Sequence, residues 1–138
     1  MAAPLSLILY VSTAAPGVEA LEVQRILESA CRFNAERRLS GALLAYAGHF
    51  LQAIEGPTDE VDALYRRIEA DPRHHGVALV HRGPIEVRRF SGWAMRHVPA
   101  PQGHDPTVSG FLDQLETRPS AQDANTALSL MQRLAGAA

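Results

Sequence analysis

Apolar residues recur along this chain with two periods. Leu5 to Ser12 (LSLILYVS) is nearly continuous, as in a strand covered on both faces and central in its sheet, and Ala14-Ala15-Pro16-Gly17 ends it. From Val18 to Asn34 the positions Val23, Ile26, Leu27 and Ala30 follow helical spacing, and Asn34 lies four residues further along the same stripe. Leu39 to Tyr46 and His49 to Glu55 read as strands joined at Ala47-Gly48, which has the length and glycine content of a tight antiparallel hairpin. Pro57-Thr58-Asp59-Glu60 supplies capping and acidic first-turn residues for a second helix carrying Val61, Leu64, Tyr65 and Ile68, which stops at Asp71-Pro72. Val77 to His81 reads as a short strand, Gly83-Pro84 as a turn, and Ile85 to Val98 as a further strand with Trp93 and Met95 on one face. Val108, Phe111, Leu112 and Leu115 then mark one amphipathic helix. Ser120 to Asp123 can cap another that carries Ala124, Ala127, Leu128 and Met131.

The order predicts an α+β, ferredoxin-like βαββαββ sheet with two helices on one face and the two C-terminal helices on the other. Residues 1–100 would form the domain proper, and residues 101–138 a helical extension within the same compact unit.

Composition narrows the function. A chain of 138 residues with 46% hydrophobic and 20% charged content suits one globular domain. The formal net charge is −2 and the basic residues are dispersed, which disfavours nucleic-acid and membrane partners. No apolar run is long enough for a bilayer span and no signal-peptide pattern opens the chain, so a cytoplasmic location is expected. The single cysteine, Cys31, excludes an internal disulfide or a multi-cysteine metal site and reads as a packing residue. All 13 basic residues are arginine, which removes lysine-dependent chemistry such as a P-loop or a Schiff base.

Within HFLQAIEG, Gln52 shares a strand face with Phe50 and Ile54, and an unsatisfied buried amide costs about 1–3 kcal/mol per group. Tyr10 shares a face of the first strand with Ser6, Ile8 and Ser12. If both faces meet the core helices, Tyr10, Gln52 and Asn34 converge on an apolar pocket with a few orienting polar groups. Each has an alternative. Taken singly, Gln52 reads rather as a locally satisfied or edge-strand amide, Tyr10 as a core aromatic with a paired hydroxyl, and Asn34 as a left-handed residue at a helix C-terminus.

At these residues the sequence resembles the BLUF family, blue-light sensors that use FAD. The resemblance covers about Leu5 to Val98 and is carried by LILYVS with Tyr10, RFNAERRLSGALLAYAGHFLQAIEG with Asn34 and Gln52, YRRIEADPRHH, and FSGWAM with Trp93 and Met95. It implies an isoalloxazine ring between the two core helices, with Asn34 on its polar edge and Gln52 bridging Tyr10 to the ring. It implies that Arg67, Asp71, Arg73 and His74 surround the ribityl and phosphate end, where arginine suits phosphate. FAD is the expected cofactor, with FMN or riboflavin as substitutes.

By the same resemblance, light moves an electron and a proton out of Tyr10, and their return leaves Gln52 rearranged and the absorption shifted to the red. Trp93 and Met95 would relay the change, or serve as ordinary core. The helices from Val108 to Leu134 would carry output or self-association. Phe33 departs from the family pattern, since many members have an amide or histidine there. The chain is therefore expected to be a photoreceptor rather than an enzyme, self-associating and signalling to a separate protein, because no residues remain for an output domain. One alternative is an acylphosphatase-type hydrolase on the same plan, although STAAPG lacks the arginine its phosphate loop would need. The other is a light-inert flavin-binding or interaction module.

Overall fold

The structure is a computed structural model that describes residues 4–15, 20–72, 74–92 and 94–136. Five strands form one sheet in the order β4-β1-β3-β2-β5. They are β1 (Leu5–Ala14), β2 (Ser40–Tyr46), β3 (His49–Pro57), β4 (His74–Ile85) and β5 (Arg96–His97). The helices are α1 (Ala20–Glu36), α2 (Thr58–Glu69), α3 (Pro106–Thr117) and α4 (Ala124–Gly136). The first four strands pair antiparallel, and β5 runs parallel to β2. This is the α+β, ferredoxin-like plan with one added strand. β1 is internal, between β4 and β3, while the middle position belongs to β3.

Strand alternation sorts the core into two sides. Ile8, Tyr10 and Ile54 pack with Val61 and Tyr65 of α2, while Leu43 and Phe50 pack with Leu27 of α1 and with Met95. On the reverse face Leu7, Leu9, Val11, Leu51 and Ala53 pack under Leu112 and Leu115 of α3 and Leu128 and Met131 of α4. A strand with apolar residues on successive positions is thus covered on both sides, as in β1.

The β2–β3 hairpin turns at Ala47 (φ 53°) and Gly48 (φ 80°), the two left-handed residues that match strand twist. On β2, a Cβ at Gly41 would collide with the Ala53 carbonyl oxygen, so close approach of the two backbones requires glycine there.

Four expectations are corrected. β4 does not stop at His81. It continues through Gly83-Pro84, pairing Ser6 with Pro84 and Leu5 with Ile85. Proline lacks a donor, but β4 is an edge strand that needs no hydrogen bond on its outer side. The second difference is at Ile85 to Val98, where Ile85 ends β4 and, beyond it, only Arg96–His97 is a strand among the described residues. Before it, the Arg89 and Phe90 N–H groups bond the Glu55 side chain rather than a ladder. Third, Pro57 caps α2 with no side-chain hydrogen bond, and the Thr58 N–H instead donates to the Pro4 carbonyl (3.1 Å). Finally, Asn34 lies within the last turn of α1, and the left-handed residue after the helix is Arg38 (φ 57°).

Candidate functional site

α1 and α2 lie side by side on one sheet face and leave a cleft of about 770 Å³, its solvent mouth included. The sheet contributes Tyr10, Leu43, Phe50 and Gln52 to its lining. From α1 come Ile26, Ser29, Ala30 and Phe33, and from α2 and the residue run after it come Leu64, Arg67, Ile68 and Asp71. The cleft is therefore mostly apolar, with its polar groups at particular points, as small-molecule sites are.

β1 and β3 pair so that Tyr10 stands directly opposite Gln52. Both side chains are buried, at 3% and 6% exposure, and the Tyr10 hydroxyl donates a hydrogen bond to Gln52 Oε1. The other end of the amide is used as well, because Gln52 Nε2 donates to the Met95 sulfur at 3.5 Å. A phenol, an amide and a thioether thus form one chain of contacts across the sheet. The Tyr10 ring also meets the Tyr65 ring at 6.0 Å between centroids. Burial pushes the Tyr10 phenol well above its ordinary range, and the charges of Tyr65 and Asp71 push the same way.

Asn34 is fully buried, but it is not a lining residue of the cleft. Its Nδ2 donates to the Ala94 carbonyl (2.7 Å), and its Oδ1 has no hydrogen-bond partner among the described residues. An orphaned buried acceptor is costly unless something supplies an N–H. Arg67 and Asp71 both line the cleft, with the Arg67 guanidinium 4.4 Å from the Phe33 ring centre. Arg73 and Trp93 lie outside the described residues, as does the side chain of His74. Cys31 is partly buried, and its thiol donates to the Met95 carbonyl (3.5 Å).

Three features escaped the sequence reading. Tyr65 looked like any apolar position of α2. Glu55 is fully buried on the reverse face of β3, where it accepts hydrogen bonds from the Ser40 hydroxyl (2.9 Å) and from the backbone N–H groups of Arg89 (2.9 Å) and Phe90 (2.7 Å). His49, at the start of the same strand, has its Nε2 2.6 Å from Asp113 and its Nδ1 2.6 Å from Glu116, both on α3. A carboxylate and an imidazole on the odd positions of an otherwise apolar strand were the available signals.

A mostly apolar cleft with a phenol–amide pair in its wall and an orphaned acceptor outside its lining is the kind of site a ligand-binding α+β domain offers to a ring with a polar edge. The chain belongs to the BLUF family, described as sensors of blue light using FAD, whose family model matches residues 5–96. Over 126 residues it is 34% identical to the photoactivated adenylate cyclase subunit beta of Euglena gracilis, an alignment covering 91% of this chain and 13% of that protein. It therefore spans only a small part of that relative. Among solved structures, the BLUF protein BlrB in its dark state is 27% identical, with a TM-score of 0.75 and full coverage of both chains. The ground state of BlsA shares the fold, with a TM-score of 0.77 at 20% identity over 92% of this chain and 87% of that one. No helix among the described residues is long and apolar enough to cross a membrane.

Proposed function

We propose that this chain is a blue-light receptor in which the Tyr10–Gln52 hydrogen bond, in the wall of an FAD site, is the element that light rearranges. The observation that carries the reading is the continuous run from the Tyr10 hydroxyl through both ends of the Gln52 amide to the Met95 sulfur. The family match over residues 5–96 favours this reading over the hydrolase alternative. We assign FAD as the cofactor. In this reading Asn34 offers its orphaned Oδ1 to the ring edge, and Arg67, Asp71, Arg73 and His74 serve the ribityl and phosphate end.

Bound flavin supplies blue-light absorption and an excited state that accepts an electron from a nearby donor. Tyr10 would be that donor; losing an electron would make its hydroxyl strongly acidic, and the return of both electron and proton would leave tyrosine and flavin unchanged, with only Gln52 rearranged. Gln52 Oε1 already accepts from that hydroxyl, so the proton has somewhere to go without rearrangement of the backbone. An amide carries a donor end and an acceptor end, and exchanging them rewires every partner at once. Met95 then faces an oxygen in place of Nε2 and loses its bond.

The resulting packing change is the output, relayed through Met95 and Trp93. We assign residues 1–100 to the sensor and residues 101–138 to a helical extension of the same unit, which delivers the change to a separate protein and mediates self-association in the cytoplasm. In this role the chain acts as a sensor and not as a catalyst.

Absorption spectra of the purified protein before and after blue light test the proposal, together with identification of the extracted pigment. The expected result is a yellow protein carrying FAD whose absorption shifts reversibly to the red. A colourless protein that refuses added flavin would sink it, and a yellow protein without the shift would favour the light-inert module.

A further inference from the structure

The chain holds three methionines, and the two among the described residues, Met95 and Met131, have different surroundings. Met131 of α4 has no exposed surface and packs among the apolar side chains of the reverse face. Met95 is 7% exposed and stands in the wall of a second groove, open to solvent and about 820 Å³ in volume, between α1 and the β5 segment. Leu27 and Cys31 continue that wall, and the exposed residues Glu28, Arg32 and His97 border it. On its inner side the Met95 sulfur accepts from Gln52 Nε2 at 3.5 Å. One thioether therefore lies between an open groove and the amide that is paired with Tyr10. Thioether sulfur is a weak hydrogen-bond acceptor, and it is also the atom that peroxides oxidise in proteins.

We propose that Met95 is an oxidation site, and that a peroxide reaching it through the groove fixes Gln52 in the orientation seen in the structure. The proposal rests on the sensor reading above and adds a chemical control that the reading does not require. A sulfur lone pair attacks one oxygen of hydrogen peroxide, the S–O bond forms as the O–O bond breaks, and the other oxygen leaves as water once the protons are transferred. Sulfur loses two electrons and the peroxide gains them. The product is a polar sulfoxide, whose oxygen is a far stronger acceptor than the sulfur it sits on. That oxygen is bonded to the atom already 3.5 Å from Nε2, so the donor is within its reach. With Nε2 toward the sulfoxide the amide makes a strong hydrogen bond, whereas with Oε1 toward it two acceptors face each other. Exchange of the amide ends is then opposed, while the intact thioether gives up only a weak bond. A methionine sulfoxide reductase returns the thioether, so the control is reversible.

The test uses the flavin-loaded Cys31→Ser chain, which keeps a donor toward the Met95 carbonyl and removes the other sulfur of the groove wall. It is treated in the dark with hydrogen peroxide, freed of the reagent, and read by peptide mass spectrometry and by the size of the red shift under constant blue light. Met95 should gain one oxygen while Met131 stays unmodified, the flavin should remain bound, and the shift should fall at least about threefold. Methionine sulfoxide reductase should restore it. Met95→Leu nearly conserves the side-chain volume, and the shift it shows should not respond to peroxide. Four results overturn the proposal and leave the sensor reading standing: Met95 unmodified at a dose that oxidises a free methionine peptide, an oxidised chain with the untreated shift, a lost shift that the reductase does not restore, or an equal peroxide effect in Met95→Leu. Absence of flavin or of any shift before treatment overturns the sensor reading itself, and the control falls with it.

Discussion

Tyr10 and Gln52 are a pair because of a register, and the register is visible in the alternation of two strands. Burial, then the charges of Tyr65 and Asp71, make the Tyr10 phenol resist ionisation, so it stays a proton donor to Gln52 to higher pH than an exposed tyrosine would. The sign of the stability effect follows. The folded-state value is raised, so below about pH 10 both folded and unfolded chains hold the proton and the residue is neutral in the balance. Above that pH the unfolded chain releases the proton and the folded chain keeps it, so stability falls as pH rises. Urea midpoints should therefore drop on the alkaline limb in the parent and drop less in Tyr10→Phe. An equal slope in both would show that Tyr10 is not the group responsible. Gln52 was legible because an amide on the apolar face of a strand demands partners. Asn34 was legible as an inward residue of α1, but its bond to the Ala94 carbonyl depends on a loop whose path no periodicity encodes.

At the scale of elements, β3 is the strand on which Gln52, the hairpin and two clasps meet. Gln52 faces the cleft, while Glu55 and His49 face the other way and tie the strand to distant segments. Glu55 holds the segment before β5 through the Arg89 and Phe90 backbone, and Arg88 reinforces it by donating to the Ser40 hydroxyl (2.9 Å) and the Arg38 carbonyl (2.6 Å). Glu55→Ala leaves three donors without their acceptor and should destabilise the fold by about 3–5 kcal/mol in urea unfolding. A loss under about 1 kcal/mol would mean the clasp is replaced by water. The hairpin permits the opposite change. Ala47 sits at φ 53°, which costs a residue with a Cβ about 1 kcal/mol, and Asn-Gly is the favoured pair for this turn. Ala47→Asn should therefore raise stability by up to about 1 kcal/mol, read as a higher urea midpoint with an unchanged slope.

These elements also explain where the sequence misled. Gly83-Pro84 carries a turn signature, yet the antiparallel partner β1 extends far enough to hold it as an edge strand. Ile85 to Val98 alternates like a strand, but Glu55 competes for its backbone donors, and a side chain arriving from elsewhere in the fold leaves no mark on local pattern. Only a buried carboxylate at an odd position of β3 hinted at it.

For the whole molecule, the sheet is a partition between the cleft and the C-terminal helices. α3 and α4 cover Leu7, Leu9, Val11 and Leu51, and α3 is held by His49 Nε2 on Asp113 and by the Thr13 hydroxyl, which donates to Glu116, a carboxylate also close to His49 Nδ1. Tyr46 adds a tether from the end of β2, donating to the Gly103 carbonyl (2.8 Å) and accepting from the Asp105 N–H (2.8 Å). Removing residues 101–138 would expose one entire apolar sheet face, so the truncated chain should aggregate or lose its cooperative unfolding transition. A soluble, monomeric and cooperatively folding fragment of residues 1–100 would show that the helices are an appendage. On the α4 side, Arg96 follows Met95 directly and donates to the Ala135 carbonyl (3.4 Å), so neighbouring residues of one segment touch Gln52 and the last helix. That both sheet faces would be covered was legible in the unbroken apolar run of β1. The latch of His49 on α3 was not, since its partners are 64 and 67 positions further along the chain.

The central claim is that the Tyr10–Gln52 pair is what light changes. It is tested most directly by the light-minus-dark absorption difference of the parent, Gln52→Leu and Tyr10→Phe, each first shown to retain flavin. A reversible red shift is expected in the parent, and its loss in both variants. A variant that keeps its flavin and still shows the parent's shift and recovery would contradict it.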